Sequence, residues 1–346
     1  MNVPGTLTAL VERARNADSV RVAVADAAQA VVLETLREAA NLGIVIPRLI
    51  GEADKITALC KAAGWVPRPD WIVPSGPDAE AAAKAVRMVH DGQADVVMKG
   101  NLHTDIFMRA LLDADTGLRL PGHRVSHTFV VEVPGQDRLI GITDAAINIA
   151  PDLTAKAQIC QNAVDLFHRL GVAEPRVAVL SAVETVTPSI TSTLDAASLT
   201  LMARRGQITG ALVDGPLAFD NAVSLRAVAE KGIISDVAGR ADILLVPDLV
   251  SGNVLAKALE YLGGAVAAGV ALGLAAPVVL TSRADAMPAR LGALAIAALL
   301  HRTKAKALTR AAELHRSLRV AAQPEEACCP LMHRPRTETH PQEAAA

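Results

Sequence analysis

Three polar side chains lie within four residues of one another, between an apolar run at 277–280 and a helical pattern that begins near Met287. Ser282 offers a hydroxyl, Arg283 a guanidinium and Asp285 a carboxylate. Ligands in open α/β sheets bind beyond the carboxyl ends of strands, and the free N–H groups of a helix N-terminus attract anions. This combination suits a phosphate or a developing oxyanion. The structural alternative is a capped helix, because aspartate is a common N-cap residue.

A second predicted strand end carries Lys99, Gly100 and Thr104. The lysine could neutralise an anion, and the glycine would allow the backbone to approach a ligand closely. The threonine could cap the following helix while it donates a hydrogen bond. Arg124, which opens the next strand, could reach the same anion. Without a ligand, these residues would be a surface lysine, an ordinary helix cap and a solvated arginine.

Two more strand ends carry candidates. Asp214 begins an Asp-Gly-Pro sequence, which turn formation alone could explain. Asn253 follows a strand predicted at 243–246 and could be a helix N-cap, with Lys257 as a solvated residue on that helix. All three residues remain candidates because they follow or end predicted strands.

Sequence features of several other functions are missing. The chain has no GxGxxG in an early βαβ unit and no GxxxxGK[ST], which disfavours dinucleotide-binding and P-loop proteins. The four cysteines lack metal-ligand spacing and favour a reducing compartment. His103, His123 and His127 are spaced by 20 and 4 residues, which only weakly suggests a metal cluster. We therefore expect neither a metal nor a cofactor.

The composition limits the possible partners. The chain has 346 residues, 51% of them hydrophobic, and a formal net charge of −2. These values disfavour disorder and provide no field that would attract nucleic acid or an anionic membrane. Two Trp, one Tyr and four Phe leave few rings for base stacking. The N-terminus lacks an export pattern, so a cytoplasmic protein is expected.

Short apolar runs alternate with segments of helical length such as 27–40 and 78–90. This alternation predicts an α/β protein with largely parallel sheets. Strands at 125–133 and 138–143 are expected to form a hairpin around a turn at 134–137. A helix is expected at 153–170. The other strands are predicted at 20–24, 44–50, 71–73, 95–98, 176–180, 211–213, 243–246 and 278–281.

Residues 261–280 carry no charge and are long enough to cross a membrane. The sequence instead favours the end of a helix, a break at Ala276-Pro277 and a buried strand. A domain boundary is expected near Asp144, where the hairpin ends. The polar segment 323–346 is expected to be a disordered tail.

Taken in order, the strand-end segments resemble the phosphate acetyltransferase/phosphate butyryltransferase family, closest to its shorter, butyryltransferase-like branch. The resemblance covers roughly residues 20–315. It is carried by the strings DVVMKGNLHTDIFMRALL, RVSHTFVVEVP, GITDAAINIAPDLTAKAQI, GALVDGPLAFDNAVS, ADILLVPDLVSGNVLAKALEYL and PVVLTSRADA.

The resemblance implies two α/β domains like those of isocitrate and isopropylmalate dehydrogenases, with an active site in the cleft between them. Domain I would comprise 1–143 plus 275–320, and domain II would comprise 144–274. The implied reaction is acyl-CoA + phosphate ⇌ acyl phosphate + CoA, by direct transfer. Coenzyme A is then a substrate or product, and a homodimer is expected. The acyl-chain length is not implied.

The resemblance also implies roles for site residues. Arg283 would bind phosphate and Ser282 would donate to the thioester oxygen. The acetyltransferase branch has an aspartate seven residues beyond the serine, where this chain has Ala289. Asp285 is the substitute candidate for the base, with Asp214 as a fallback from the other domain. Two alternatives are a degenerate sensor of CoA or acyl phosphate, and an NAD- and metal-dependent dehydrogenase of the same fold.

Overall fold

The computed structural model describes residues 5–282 and 284–317, and the side chains of residues 304–317 are not described. Arg283 and the predicted tail at 323–346 therefore lie outside the described residues. Tertiary contacts define one compact unit that ends at Lys304 and a second unit from Ala305 onward. Of the second unit, only the helical segment that ends at Ser317 is described.

Eleven strands of the described chain form one continuous sheet in the order β3-β2-β1-β4-β11-β10-β5-β6-β9-β7-β8. Two blocks of parallel strands, β3-β2-β1-β4-β11 and β6-β9-β7-β8, flank the antiparallel strands β10 and β5. The strands are β1 Val20–Ala25, β2 Val45–Gly51, β3 Ile72–Pro74, β4 Val96–Lys99, β5 Ser126–Glu132, β6 Ile140–Thr143, β7 Arg176–Leu180, β8 Leu212–Leu217, β9 Ile243–Leu245, β10 Val266–Leu272 and β11 Val278–Val279.

Helices cover both faces of the sheet, which explains why its strands are apolar over most of their length. A short 3₁₀ turn at Pro69–Trp71 precedes β3. The helices are α1 Leu7–Arg15, α2 Ala30–Asn41, α3 Ala53–Ala62, α4 Asp78–His90, α5 Thr104–Leu112, α6 Leu153–Leu170, α7 Thr191–Arg204, α8 Phe219–Val223, α9 Leu225–Lys231, α10 Leu249–Tyr261 and α11 Met287–Ser317.

The predicted alternation of strands and helices is confirmed. Each predicted strand position contains a strand, with ends that differ by a few residues, and the helices at 78–90 and 153–170 have the predicted bounds. The predicted hairpin forms from β5 and β6, which pair in antiparallel orientation. The fold is therefore α/β with a large, mostly parallel sheet.

The interpretation of residues 261–280 was wrong in one respect. Its first part is not the end of a helix but strand β10, which pairs with both β5 and β11. Gly269 lies so close to its neighbours that an added Cβ would come 2.8 Å from Nε2 of His127 and 2.9 Å from the carbonyl oxygen of Leu280. The small residues of this segment therefore allow β10 to pack closely against its neighbours. No described helix is long and apolar enough to span a membrane.

Candidate active site

A cavity of about 430 Å³ lies where the carboxyl ends of strands from both parallel blocks meet. Side chains that follow β4 and β11 line it from one block, and side chains that follow β6 and β9 line it from the other. Three of the four predicted strand-end segments therefore come together. The described lining residues are Lys99, Leu102, His103, Thr104, His127, Phe129, Ala146, Asn253, Lys257, Leu280, Thr281, Ser282 and Asp285.

The loop between β11 and α11 brings Ser282 and Asp285 to this cavity. Oδ2 of Asp285 accepts a 2.7 Å hydrogen bond from the backbone N–H of Ser282. Helix α11 begins at Met287, so Asp285 stands outside the N-cap position and its carboxylate turns back along the loop. The interpretation of Asp285 as a helix cap is therefore wrong.

Asp285 is only 7% exposed. Burial raises the pKa of Asp285, and the hydrogen bond from Ser282 and the positive charge of Lys257 only partly oppose this effect. Glu260 adds a further negative charge that raises it. Asp285 is thus a carboxyl group that takes up a proton more readily than an exposed aspartate does.

Arg290 donates hydrogen bonds to the backbone of the same loop, and it was not among the residues predicted from the sequence. Its side chain is 1% exposed, and Nη2 donates to the carbonyl oxygen of Ser282 at 2.7 Å. Nε donates to the carbonyl oxygen of Asp285 at 3.1 Å, and Nη1 lies 3.4 Å from Oγ1 of Thr281. The available signal was an arginine at the start of an otherwise apolar helical run, LGALAIAALL.

Lys257 reaches the cavity from α10. Its Nζ lies 2.8 Å from Oε2 of Glu260 and 4.0 Å from Oδ1 of Asp285. Burial by itself would lower the pKa of Lys257, but the hydrogen bond to Glu260 and the nearby carboxylates outweigh it, so the pKa is raised. The ammonium therefore carries its charge at neutral pH.

Asn253 also lies on α10, but not at its start. The helix is capped by Asp248, whose side chain accepts from the N–H of Ser251 at 2.8 Å. The prediction that Asn253 is an N-cap is therefore wrong. Its Nδ2 instead donates to the carbonyl oxygen of Ala145 at 3.3 Å, which ties α10 to the end of β6.

The end of β4 contributes a buried lysine. Lys99 is 3% exposed and is the last residue of the strand. Gly100 follows it against β1, where an added Cβ would collide with the carbonyl oxygen of Asp26, so only glycine fits. Helix α5 begins with Thr104, and His103 occupies the cap position. The prediction that Thr104 is the cap is therefore wrong, although Thr104 does line the cavity.

His127 and Phe129 form the wall of the cavity on β5 and were not predicted as site residues. Their rings meet edge to face with centroids 4.5 Å apart. His127 is 0% exposed, and burial lowers its pKa to about 4 although the charge of Asp144 acts in the opposite direction. The sequence signal was the strand alternation in SHTF, which places His127 and Phe129 on the same face.

Arg124 lies elsewhere. Its Nη1 donates to Oδ1 of Asn148 at 3.0 Å, and it lines a separate and larger cavity of about 660 Å³ together with Arg119 and His123. The two cavities share no lining residue. Arg124 is thus not brought together with Ser282.

Asp214 lies within β8, at the edge of the sheet and six strand positions from β11. A spacing of about 4.8 Å between strands puts it roughly 25–30 Å from the loop after β11. Its Oδ1 accepts from the N–H of Gly215 at 3.0 Å. The structure therefore contradicts Asp214 as a fallback base across the cleft.

The described residues contain no group of three or more His, Cys, Asp or Glu side chains that could hold a metal ion. The cavity instead combines two lysines, a hydroxyl and a carboxyl group of raised pKa. This set can bind an anion, donate to an oxygen that gains charge, and accept a proton.

Comparisons with known proteins show the family of the chain. Residues 78–298 match the family model "Phosphate acetyl/butaryl transferase". The chain is 51% identical to a phosphate acetyltransferase of Rhizobium meliloti over 76% of this chain and 83% of that protein. It is 42% identical to a phosphate butyryltransferase of Clostridium acetobutylicum over 84% of this chain and 96% of that protein.

Solved structures support the same assignment. A branched-chain phosphotransacylase from Enterococcus faecalis V583 superposes with a TM-score of 0.70 at 30% identity, over 82% of this chain and 99% of that one. A phosphotransacetylase from Streptococcus pyogenes shares the fold, with a TM-score of 0.73 at 21% identity over 86% and 98% of the two chains. The chain therefore belongs to the phosphate acetyl/butaryl transferase family.

Proposed function

We propose that this protein is a phosphate acyltransferase that interconverts a short-chain acyl-CoA plus phosphate with an acyl phosphate plus CoA. The observation that carries the proposal is the convergence of Ser282, Asp285 and Lys257 on one cavity. The names of relatives that are 38–51% identical support this reaction and neither a dehydrogenase nor a sensor. Coenzyme A enters as a substrate or product, and no separate cofactor takes part.

The positive charges of the cavity suit phosphate. Lys99 and Lys257 line the cavity from different blocks of the sheet. Arg283 follows Ser282 directly in the sequence. We assign the guanidinium of Arg283 to phosphate binding on the basis of the family resemblance. Holding phosphate in line with the thioester can contribute about 7–11 kcal/mol to lowering the barrier.

In the forward reaction a phosphate oxygen attacks the thioester carbon, the C–S bond breaks and CoA leaves as a thiolate. The carbonyl oxygen gains negative charge on the way, and the hydroxyl of Ser282 is assigned as a donor to it. Arg290 and Asp285 engage the backbone of Ser282 and so position the residue that carries this hydroxyl. Arg290 is thus a positioning residue.

The reverse direction requires a base, because the CoA thiol must lose its proton before it attacks. A thiol has an ordinary pKa of about 8.5. Asp285 is the assigned base, since it is the carboxyl group next to Ser282 and its raised pKa moves it towards the pH at which it works. The positive charge of Lys257 would stabilise the carboxylate of Asp285 before it accepts the proton of the thiol.

Thr104 and Asn253, which line the cavity, and Gly100, which follows Lys99 in the sequence, are assigned to substrate binding. We further infer two domains, 1–143 plus 275–320 and 144–274, as in isocitrate dehydrogenase-like proteins. The first would contain β1 to β6 and β11, and the second would contain β7 to β10. A cytoplasmic homodimer is the proposed working form, and light scattering of the purified protein would measure its size.

The reaction is tested by following free thiol while acetyl-CoA or butyryl-CoA is mixed with enzyme, with and without phosphate. We expect thiol release that depends on phosphate, and acyl phosphate as the second product. The relative rates of the two acyl-CoA substrates would establish the preferred chain length. Thiol release that is independent of phosphate would contradict the proposal, as would the absence of release from both substrates.

A further inference from the structure

His127 occupies an unusual position in the cavity wall. His127 is 0% exposed, yet it lines the same cavity as Phe129 and Ser282. No group of the described chain forms a hydrogen bond with either of its ring nitrogens. A buried polar atom without a partner costs about 1–3 kcal/mol, so this arrangement is unfavourable unless a ligand completes it.

The imidazole of His127 is neutral at physiological pH. Burial keeps its pKa far below the ordinary value although the charge of Asp144 acts in the opposite direction, and the hydrogen bond that Asp144 accepts comes from the backbone N–H of His127. A neutral imidazole has one N–H donor and one acceptor nitrogen. The ring therefore offers the cavity an uncharged donor.

We propose that His127 donates a hydrogen bond from its ring to the carbonyl oxygen of the bound acyl group, as a second donor beside Ser282. This role rests on the proposed function of the cavity. The oxygen gains charge during the transfer, so two donors from the cavity wall would stabilise it better than one. His127 is then a catalytic residue, because it contacts the reacting group.

The surroundings of the ring favour a carbonyl over phosphate as its partner. Phe129, Leu102 and Leu280 make this part of the wall apolar, which suits an acyl chain. The cations lie elsewhere, on β4 and α10, and suit the charged phosphate. An uncharged donor next to an apolar surface matches a neutral thioester.

Both ring nitrogens are buried, so the donor must be presented by rotation of the ring. The χ2 torsion of histidine is broad, and this rotation is a small movement. Gly269 lies beneath the ring without a side chain, and an added Cβ would come 2.8 Å from Nε2. The glycine on β10 thus leaves the space in which the ring lies.

The test compares His127→Phe with Thr128→Val. Phenylalanine keeps an aromatic ring against Phe129 but removes both unpaired nitrogens. Thr128 is the next residue of β5, on the opposite face of the strand, and its buried hydroxyl also lacks a hydrogen-bond partner within the described chain. Both variants should raise the melting temperature by a few degrees, because each removes an unpaired buried polar group.

Only His127→Phe should lose activity. We expect its kcat for acyl-CoA to fall by about 10²-fold, the scale of one oxyanion donor, with little change in the KM for phosphate. His127→Gln and His127→Asn place an amide N–H near Nε2 or Nδ1, and at least one should recover about tenfold of the loss. Should phenylalanine prevent folding, His127→Leu takes its place as the apolar variant.

Three results would overturn this role. A fully active His127→Phe would exclude His127 from the reaction while leaving the proposed function intact. An equal loss in Thr128→Val would show that the effect comes from the strand and not from the ring. A wild-type protein without phosphate-dependent thiol release would overturn the proposed function, and the role of His127 with it.

Discussion

Oδ2 of Asp285 accepts a 2.7 Å hydrogen bond from the backbone N–H of Ser282. A change in the charge of this carboxyl group is therefore felt directly by the loop that presents the Ser282 hydroxyl. The same loop is fixed from the other side by Arg290, which donates to the carbonyl oxygens of both residues. Ser282, the proposed donor, and Asp285, the proposed base, are thus directly coupled. Substitutions of the two residues should be distinguishable by the direction of the reaction that each slows.

Ser282→Ala should reduce turnover by about 10²–10³-fold, because one donor to the developing oxyanion is removed. The fold should persist, since the short hydrogen bonds at Ser282 use its backbone N–H and carbonyl group, and its Oγ accepts only a long, exposed bond of 3.4 Å from the N–H of Ala284. Steady-state kinetics and a thermal melt measure the two effects. The control is Ser198→Ala on α7, whose exposed hydroxyl bonds only within its own helix. Wild-type turnover in Ser282→Ala would remove Ser282 from the mechanism.

Asp285→Asn should slow the direction from CoA and acyl phosphate by about 10²–10⁴-fold, the usual scale for a general base. Asparagine can still accept from the N–H of Ser282, so the loop should keep its shape. Because the folded chain raises the pKa of Asp285, it holds this proton more tightly than the unfolded chain does. Its contribution to stability is therefore lost as the pH rises through the folded pKa.

The asparagine variant avoids that loss and should be at least as stable as the wild type at neutral pH. Asp137→Asn provides the control, because the side chain of Asp137 is 91% exposed in the hairpin turn. Unchanged rates in both directions for Asp285→Asn would mean that the thiol loses its proton to water or to phosphate.

Arg290→Lys should destabilise the protein by roughly 2–3 kcal/mol, because one ammonium cannot reproduce the bonds that a planar guanidinium makes to three residues of the loop. Turnover should fall as well, since Ser282 is no longer held. Denaturant unfolding and kinetics measure these effects. Arg226→Lys, at an exposed ion pair on α9, should change stability by less than about 0.5 kcal/mol. An Arg290→Lys enzyme with wild-type stability and rate would contradict the positioning role.

Arg283→Lys should raise the KM for phosphate more than the KM for acyl-CoA, because a lysine cannot bind phosphate in a bidentate manner. Initial rates measured over both substrate concentrations separate the two constants. If the KM for acyl-CoA rises instead, Arg283 belongs to the CoA site.

The stability of the protein should depend on the charge state of His127. The folded chain keeps this ring neutral down to about pH 4, whereas an unfolded histidine titrates near pH 6.5. Between these values the unfolded state binds more protons, so the free energy of unfolding falls as the pH is lowered. His127→Phe should remove up to about 1.4 kcal/mol per pH unit of that slope. Denaturant unfolding at several pH values between 4 and 7 measures it, and Thr128→Val should keep the wild-type slope.

Local patterns in the sequence were sufficient for much of this protein. The alternation of apolar runs and helical segments predicted the α/β fold, because each element shows its own periodicity. Ser282 and Asp285 were found because they lie three residues apart after a strand, so their proximity is a local property. Lys99 and Lys257 were found by the same rule about strand ends.

The order of the strands in the sheet was decided by the tertiary structure alone. Asp214 satisfied the strand-end rule, but β8 lies six positions from β11, and nothing local to Asp214 encodes that separation. The small residues of β10 were interpreted as helical from the sequence. They are needed because His127, from a distant part of the chain, lies close to Gly269, and local sequence does not show that contact. Arg290 and His127 were missed for the same physical reason. Their importance arises from burial against groups brought together by folding, and burial of a single polar residue leaves no periodic signal in the sequence.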